Sequence, residues 1–190
     1  MPTNETVFAQ AVETLRSAKR VVVFTGAGVS AESGIPTFRD QLTGLWAQFD
    51  PAQLATEAAF RNDPALVWGW YEWRRQLVAK VQPNAAHLAI AALARHVPQL
   101  LLVTQNVDDL HERAGSHGVI HLHGSLQAPR CFACTRPYTQ PLNDQPEPSA
   151  GAIEPPRCLR CNGKIRPGVV WFGEALPQQP LKTAFQAAQD

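Results

Sequence analysis

The chain has 190 residues, a formal net charge of +1 and an apolar fraction of 45%. This length allows one domain with a sizeable core and a smaller module, and the apolar fraction excludes wholesale disorder. The low net charge argues against general electrostatic attraction to nucleic acid or membranes, and no apolar run reaches the roughly 18 residues of a membrane span. Since the first residues also lack the pattern of a signal peptide, we expect a cytoplasmic protein.

Two elements are predicted before the first glycines. Residues 5–18 place five apolar side chains on one helical face, which predicts a helix that covers a sheet. These side chains are Val7, Phe8, Ala11, Val12 and Leu15. The β-branched run over residues 20–25 then predicts a strand buried on both faces of a parallel sheet.

The strand runs directly into Thr-Gly-Ala-Gly. Gly26 and Gly28 would let the backbone turn sharply and approach a ligand, as at the phosphate site of dinucleotide-binding folds. The full G-x-G-x-x-G pattern and the acidic residue about 20 positions later are missing. On these two glycines alone, a tight turn without a ligand is an equally good interpretation.

The continuation over residues 26–40, Gly-Ala-Gly-Val-Ser-Ala-Glu-Ser-Gly-Ile-Pro-Thr-Phe-Arg-Asp, resembles the signature of the sirtuins, which are NAD-dependent protein deacylases. The resemblance implies that Ala27 and Gly28 contact the pyrophosphate, that Phe38 shields the reacting ribose and that Arg39 reaches a phosphate or ribose. Core packing of Phe38 and a surface ion pair of Arg39 are the alternatives. The implied NAD-binding residues here are Gly26, Ala27, Gly28, Glu32, Thr37, Phe38, Arg39 and Trp46.

An aromatic-rich helical stretch over residues 50–82 contains Tyr71 and Arg74, which are three residues apart and therefore share a helix face. Tyr-x-x-Arg at this place resembles the bacterial class III sirtuins, which prefer negatively charged acyl groups on lysine. A guanidinium binds a carboxylate through two parallel hydrogen bonds, and a phenol adds a third donor. The alternative is a packed tyrosine beside a solvated arginine. Arg75 points elsewhere on such a helix.

A second buried strand over residues 100–104 ends in Gln-Asn-Val-Asp-Asp-Leu-His. Polar residues at a strand end mark the ligand edge of an α/β sheet, although an isolated Asn or Asp more often caps the next helix. The segment resembles the second sirtuin motif. That resemblance implies that Asn106 and Asp108 hold the nicotinamide amide, that Gln105 contacts the ribose and that Val107 belongs to the same site. His111 and the earlier His87 are expected to be structural, and Asn84 to cap the helix that contains His87.

The third strand, over residues 119–125, contains His121 and His123 on the same side. A His-x-His pair could bind a metal, but no acidic residue or cysteine stands beside it in the sequence. The family places its catalytic base immediately before Gly-Ser, which matches His123. Histidine suits a general base because its ordinary pKa is near neutral pH.

All four cysteines fall in two C-x-x-C pairs separated by 23 residues: Cys131, Cys134, Cys158 and Cys161. Two such pairs converge into a tetrahedral thiolate site, which predicts one structural Zn²⁺ per chain. The proline-rich insert between them has little core, so metal binding must supply much of its folding energy. A redox C-x-x-C is the alternative, but one pair would suffice for it.

Residues 166–174, Arg-Pro-Gly-Val-Val-Trp-Phe-Gly-Glu, resemble the sirtuin segment that pairs with the substrate peptide as an added strand. The implied substrate-binding residues here are Val170, Phe172 and Gly173. Backbone pairing of this kind gives affinity with little sequence selectivity. A plain core strand is the alternative for Val169 and Val170.

We therefore expect an α/β fold with a Rossmann-like parallel sheet and a small zinc-binding module. Residues 1–39, 83–125 and 169–190 would form the NAD-binding domain, 40–82 a helical insert and 126–168 the zinc module. The Gly-Thr-Ser turn and the adenosine-binding asparagine of the family have no counterpart in these 190 residues. The sheet is thus expected to lack its last strands, as a fragment or as a truncated protein with weakened NAD binding.

The resemblance implies an NAD-dependent protein-lysine deacylase acting on succinyl- and malonyl-lysine, and also on acetyl-lysine, with release of nicotinamide and O-acyl-ADP-ribose. The alternatives are a non-catalytic module that binds acyl-lysine peptides and a mono-ADP-ribosyltransferase. The expected partners are acylated lysines of proteins, with neither nucleic acid nor membrane, and the protein is expected to be a monomer.

Overall fold

The structure, a computed structural model, describes residues 4–35, 54–142 and 151–189. Thr37, Phe38, Arg39 and Trp46 therefore lie outside the described residues. The helices are α1 (Asn4–Ser17), α2 (Gly28–Ala31), α3 (Glu57–Asn62), α4 (Pro64–Lys80), α5 (Ala85–Leu93), α6 (Leu110–Arg113) and α7 (Gln178–Gln189). The strands are β1 (Arg20–Thr25), β2 (Gln99–Thr104), β3 (Ile120–His121), β4 (Arg130–Cys131) and β5 (Ile165–Arg166). None of the helices in these ranges has the length and hydrophobicity of a transmembrane helix.

A parallel sheet in the order β1-β2-β3 positions the candidate site. Thr25 at the end of β1 is in register with Thr104, and Thr104 with His121 of β3. Since the three strands are parallel, their carboxyl ends lie at one edge. The glycine turn, the Gln-Asn segment and the His-x-His pair are therefore brought to the same place, as ligand-binding α/β sheets require.

The prediction that β1 is buried on both faces is wrong. Val22 is 38% and Phe24 60% exposed, whereas the central strand β2 buries Leu102 and Val103 almost completely. In the described residues β1 is an edge strand, and α1 buries none of its side chains, with Phe8 73% exposed. The predicted helix thus forms, but it does not cover the sheet.

The main apolar core lies instead around the helix pair α3 and α4. The Thr56 side chain accepts from the amide of Ala59 at the start of α3, and Asp63 from Leu66 at the start of α4. Such caps satisfy amides that have no partner inside the helix. The buried residues of this core are Leu54, Ala55, Phe60, Val67, Trp70, Tyr71, Val78, Leu126, Val169 and Trp171.

The cysteine segment forms a second small unit built on the antiparallel pair β4 and β5. Trp68 of α4 packs here with Cys131 and Ile165. At Gly168 the backbone passes close to the segment that contains Ala128. A Cβ atom on residue 168 would lie 1.8 Å from the carbonyl oxygen of Ala128. Only glycine allows this approach. The domain boundaries given above stay a prediction.

Candidate active site

A cavity of about 530 Å³ lies at the carboxyl edge of the three-stranded sheet. It brings together residues from the glycine turn, α4, the segment after β2, the end of the third strand and the segment after β5. The predicted site residues that line it are Ala27, Tyr71, Arg74, Gln105, Asn106, Val107, Asp108, His123, Val170, Phe172 and Gly173. Gly26, Gly28 and Glu32 do not line it, and Glu32 is exposed in the turn after α2.

The glycine turn leaves open space above its backbone. A Cβ atom at Gly26 would stand 3.6 Å from Oε1 of Gln105, and one at Gly28 would meet nothing within 4 Å. Neither residue has a positive φ, so the backbone conformation at these two positions does not require glycine. The space instead fits the backbone approach of a phosphate group, as the NAD prediction requires.

Three buried polar side chains connect this turn to the segment after β2. Ser30 donates its hydroxyl proton to Oδ2 of Asp108 over 3.0 Å, and Nδ2 of Asn106 donates to Oγ of Ser30 over 2.9 Å. The second carboxylate oxygen of Asp108 accepts from the amide of Leu110. Asn106 and Asp108 are thus held side by side at the cavity. Ser30 lies within the glycine motif, but the sequence analysis did not predict it as a site residue.

A second polar cluster lies behind the cavity. Oγ1 of Thr25 contacts Oγ1 of Thr104 at 2.9 Å and Nε2 of His111 at 3.0 Å. The His111 and His87 rings stand 4.8 Å apart, and His87 caps its own helix with Asn84. Burial foremost lowers the pKa of both imidazoles, so both are neutral near pH 7. Neither histidine lines the cavity, which agrees with the structural roles expected for them.

Backbone carbonyls determine the protonation of the two histidines at the end of the third strand. Nδ1 of His123 lies 2.9 Å from the Gln105 carbonyl oxygen, and Nδ1 of His121 lies 2.9 Å from the Asn106 carbonyl oxygen. A carbonyl only accepts, so both Nδ1 atoms carry a proton. In the neutral ring of His123 this contact selects the tautomer in which Nε2 is the acceptor, and that is the tautomer that a general base at this position needs.

In the folded chain His121 has an acidic partner, although no acidic residue stands beside it in the sequence. Its Nε2 lies 2.7 Å from Oε1 of Glu112, nine residues earlier in α6. Burial favours the neutral ring, but the contacts with Glu112 and with the Asn106 carbonyl together outweigh it and raise the pKa of His121 above its ordinary value. With both ring nitrogens engaged, His121 is suited neither to base catalysis nor to metal binding. The fold brings Glu112 of α6 to His121 of β3, and the spacing of the two residues in the sequence does not predict this contact.

Tyr71 and Arg74 enter the cavity from α4. The Tyr71 hydroxyl accepts a hydrogen bond of 3.1 Å from Nε1 of the buried Trp171. The guanidinium of Arg74 stands 5.5 Å from the centre of the Trp70 ring. Burial foremost lowers the pKa of this guanidinium, an effect that Tyr71 and Asp108 oppose. Arginine nevertheless stays protonated at physiological pH, so the cavity contains a fixed positive charge.

The side chain of the neighbouring Arg75 lies outside the cavity and contacts Glu72. Its Nη2 forms a 3.0 Å ion pair with Oε2 of Glu72, and both side chains are largely buried. It does not line the cavity. The two adjacent arginines therefore have separate environments.

The segment that would bind a peptide has most of its amides engaged. The amides of Val170 and Phe172 donate to the carbonyls of His123 and Ala55, at 2.8 and 2.9 Å. The amide of Trp171 donates to Oε2 of Glu174. A peptide that pairs with this segment would therefore have to use backbone groups of the segment other than these three amides.

The four cysteine sulfur atoms converge as the spacing predicts. All lie within 4.8 Å of one another, with 3.5 Å between Cys131 and Cys161 and 3.8 Å between Cys134 and Cys158. Sulfur atoms about 2.3 Å from a tetrahedral zinc ion lie about 3.8 Å apart, so the cluster fits Zn²⁺. With four thiolates and no open position, such a site is structural.

The two C-x-x-C turns have the same backbone design. In each, the residue after the second cysteine has a positive φ, 59° at Thr135 and 58° at Asn162. Its amide donates to the carbonyl of the first cysteine, Cys131 or Cys158. Gly163 leaves room for the sulfur atoms, because a Cβ there would lie 3.1 Å from Sγ of Cys131.

Comparison with protein-family models gives a match to the Sir2 family over residues 26–190. The "NAD-dependent protein deacylase 1" of Pseudomonas aeruginosa is 67% identical over 178 residues, which are 93% of this chain and 71% of that protein. The "NAD-dependent protein deacylase" of Methylococcus capsulatus is 61% identical over 177 residues, with coverage of 93% and 69%. The chain thus spans about 70% of the length of these relatives.

Solved structures of Sir2 homologues resemble this chain throughout. A mutant homologue in complex with ADP-ribose gives a TM-score of 0.83 at 47% identity, covering 95% of this chain and 70% of that one. A homologue in complex with NAD gives 0.81 at 48% identity, covering 95% and 68%.

Proposed function

The chain belongs to the Sir2 (sirtuin) family of NAD-dependent protein deacylases, and we propose that it prefers acyl-lysines whose acyl chain ends in a carboxylate, as in succinyl-lysine and malonyl-lysine. One observation carries the proposal: a guanidinium and a phenol line the same cavity as a histidine with an accepting Nε2. Acetyl-lysine, which has no terminal charge, would use the same cavity with less affinity.

The chemistry of the cavity fits NAD. Bound NAD supplies a nicotinamide leaving group and a ribose that takes the acyl group from lysine. The side-by-side amide of Asn106 and carboxylate of Asp108 can hold a carboxamide through complementary donors and acceptors. The open turn at Gly26–Gly28 would receive phosphate groups, and the four cysteines would hold Zn²⁺ at a distance as a structural ion.

His123 acts as the general base. Its Nδ1–H is held by the carbonyl of Gln105, which orients the ring and leaves Nε2 to accept a proton from a hydroxyl group in the cavity. The amide of Val170 donates to the carbonyl of His123 and so fixes the backbone of the same residue. Because both contacts involve backbone atoms, the position of the imidazole depends on the fold and not on a neighbouring side chain.

Arg74 and Tyr71 select the acyl group. A terminal carboxylate would accept from the guanidinium and from the phenol, and each charge-assisted bond is stronger than a neutral one. Burial foremost raises the pKa of Tyr71 to about 12, so the hydroxyl keeps its proton and can donate. A carboxylate in this partly enclosed cavity is stabilised more than it would be at the surface.

The test compares peptides that differ only in the acyl group on one lysine. Arg74→Met should lower the ratio of desuccinylation to deacetylation efficiency by about 10- to 100-fold, the effect of one or two charge-assisted hydrogen bonds. Arg75→Met, which removes the adjacent arginine outside the cavity, should leave the ratio unchanged. Nicotinamide release and deacylated peptide are measured with NAD and zinc-loaded protein. Equal loss of both activities in Arg74→Met contradicts the acyl preference.

His123→Ala tests the catalytic assignment. This variant should lose deacylation of every acyl-lysine by several orders of magnitude while its thermal unfolding and zinc content stay as in the wild type. Normal turnover would remove His123 from the mechanism. Peptide binding without turnover in the wild type would favour the non-catalytic alternative.

The cellular setting is also part of the proposal. We expect the protein to act as a monomer in the cytoplasm on acylated proteins, and not on nucleic acid or membranes. Light scattering after size-exclusion chromatography tests the oligomeric state, and a mass near 20.8 kDa is the expected result.

A further inference from the structure

The indole of Trp171 determines which way the Tyr71 hydroxyl can donate. Nε1 of Trp171 donates to the Tyr71 oxygen over 3.1 Å, and both side chains are buried. A phenol has one proton, and an indole N–H can only donate. With its oxygen accepting from the indole, the Tyr71 proton points away from Trp171, and both residues line the cavity.

Trp171 is held rigidly. The guanidinium of Arg166 lies 3.4 Å from the centre of the indole ring, within the range of a cation–π contact. Arg166 forms a two-pronged ion pair with Glu174, and the same carboxylate accepts from the Trp171 amide over 2.8 Å. The ring face and the backbone of Trp171 are thus fixed by one ion pair, in which Arg166 is buried and Glu174 partly buried.

These contacts form a continuous path from the zinc-bearing segment to the acyl-binding side chains. Arg166 ends β5, which pairs with Cys131 and its neighbour in β4. From Arg166 the path continues through Trp171 to Tyr71, and Tyr71 lies one helical turn from Arg74. None of these links was visible in the sequence, because Tyr71 and Trp171 are 100 residues apart.

We propose that Trp171 is a specificity-determining positioning residue, which orients the Tyr71 hydroxyl so that its proton is donated to the carboxylate end of the acyl chain. This inference rests on the proposed preference for carboxylate-bearing acyl groups. An acetyl group offers no acceptor at that position, so the indole N–H matters for one class of acyl group and not for the other. Packing alone would affect both classes equally.

Trp171→Phe tests the role of the indole N–H. Phenylalanine keeps an aromatic ring against Phe60 and Tyr71 but removes the donor. We expect the ratio of desuccinylation to deacetylation efficiency to fall about three- to tenfold, which is the effect of losing one well-oriented hydrogen bond. The fall should arise from KM for the succinyl peptide. Trp73→Phe is the matched control, since Trp73 lies on α4 outside the cavity.

A double-mutant cycle with Tyr71→Phe separates orientation from packing. If Trp171 acts through the Tyr71 hydroxyl, Trp171→Phe has no further effect on the ratio once that hydroxyl is absent. Additive losses in the double variant contradict the inference, because Trp171 would then act independently of Tyr71.

The outcomes separate the two proposals. A wild type that does not favour succinyl-lysine overturns the proposed function and this inference together. A wild type that favours it, with an unchanged ratio in Trp171→Phe, overturns the inference alone. A variant that loses both activities equally and unfolds at lower temperature also overturns it, since Trp171 is then only structural.

Discussion

At the scale of single residues, two histidines that look alike in the sequence have different environments because of what their second ring nitrogen contacts. His123 and His121 both donate Nδ1–H to neighbouring backbone carbonyls. Only His121 meets a carboxylate, that of Glu112, with its Nε2. The pair thereby holds the segment after β2 at Asn106, beside the candidate base but without taking part in proton transfer.

The ion pair between His121 and Glu112 predicts a pH-dependent contribution to stability. Burial is the largest single effect and favours the neutral form of each group, but the hydrogen bond between them, the backbone hydrogen bonds and the neighbouring charges together outweigh it. The pKa of His121 is therefore raised and that of Glu112 lowered. The contribution of the His121 imidazolium to the free energy of unfolding is complete below the ordinary histidine pKa, and it disappears as pH rises through the raised pKa of His121. The carboxylate contribution is present above the ordinary glutamate pKa and disappears as pH falls through the lowered one.

Glu112→Gln should therefore reduce the free energy of unfolding most near pH 6 and less near pH 9. Asp108 also faces His121 and favours its imidazolium form, and His121 in turn helps to lower the pKa of the nearby His111, for which burial is the larger cause. Because the Glu112 side chain is 42% exposed, we expect an effect of only about 0.5–1 kcal/mol at pH 6. Urea unfolding at the two pH values measures it. Glu57→Gln is the control, since its partner Arg61 keeps its charge throughout; an effect of Glu112→Gln that is equal at both pH values would refute the prediction.

At the scale of elements, α4 connects the apolar core, the cavity and the cysteine segment. It is capped by Asp63, begins with Pro64 and places Tyr71 and Arg74 on its cavity side. The segment that contains Gly151 and Ile153 crosses α4 closely at Gly69, and the amide of Ile153 donates to the carbonyl of Ala65 over 2.9 Å. The helix therefore positions the proposed acyl-binding side chains relative to the apolar core and the cysteine segment.

Gly69→Ala in α4 tests this crossing. In an exposed helix interior the change would stabilise by about 1 kcal/mol. Here the new Cβ would lie 1.9 Å from the carbonyl oxygen of Gly151, which is backbone and cannot rotate away. We expect a net loss of about 1–3 kcal/mol in the free energy of unfolding, measured with urea. A variant more stable than the wild type would mean that the chain does not cross the helix at this point.

At the scale of the whole molecule, the zinc-bearing segment and the cavity are connected by the covalent chain. β5 carries Ile165 into the unit that contains the cysteines and then leads through Arg166 to the residues that line the cavity. This unit has few buried apolar side chains, so the ion must supply much of its stability.

Removing zinc with a chelator should therefore weaken peptide binding as well as lower the melting temperature. We expect at least a tenfold loss of affinity for a succinyl-lysine peptide, measured by fluorescence anisotropy, in parallel with release of one zinc ion per chain. Adding Zn²⁺ back should restore both properties. Unchanged peptide affinity after complete loss of the metal would show that the cavity is independent of the cysteine unit.

Most of the site could be predicted because its residues occur in contiguous motifs at strand ends. The Gln-Asn-Val-Asp segment, the His-Gly-Ser turn and the paired C-x-x-C turns carry their chemistry in local spacing, and parallel strands bring such ends together. Predictions about burial did less well. β1 is apolar enough for a buried strand, but whether Val22 and Phe24 are covered depends on neighbouring elements that no local pattern specifies.

The sequence by itself determined the family, the parallel α/β sheet and the pairing of the four cysteines, and it predicts His123 as the base, because each of these rests on residues close together in the chain. Only the tertiary structure decided the contacts across long separations: Ser30 with Asp108, His121 with Glu112, and Trp171 with Tyr71. Hydrogen bonds form wherever folding brings a donor to an acceptor. Their partners therefore depend on the packing of whole elements, which spacing along the chain does not reveal.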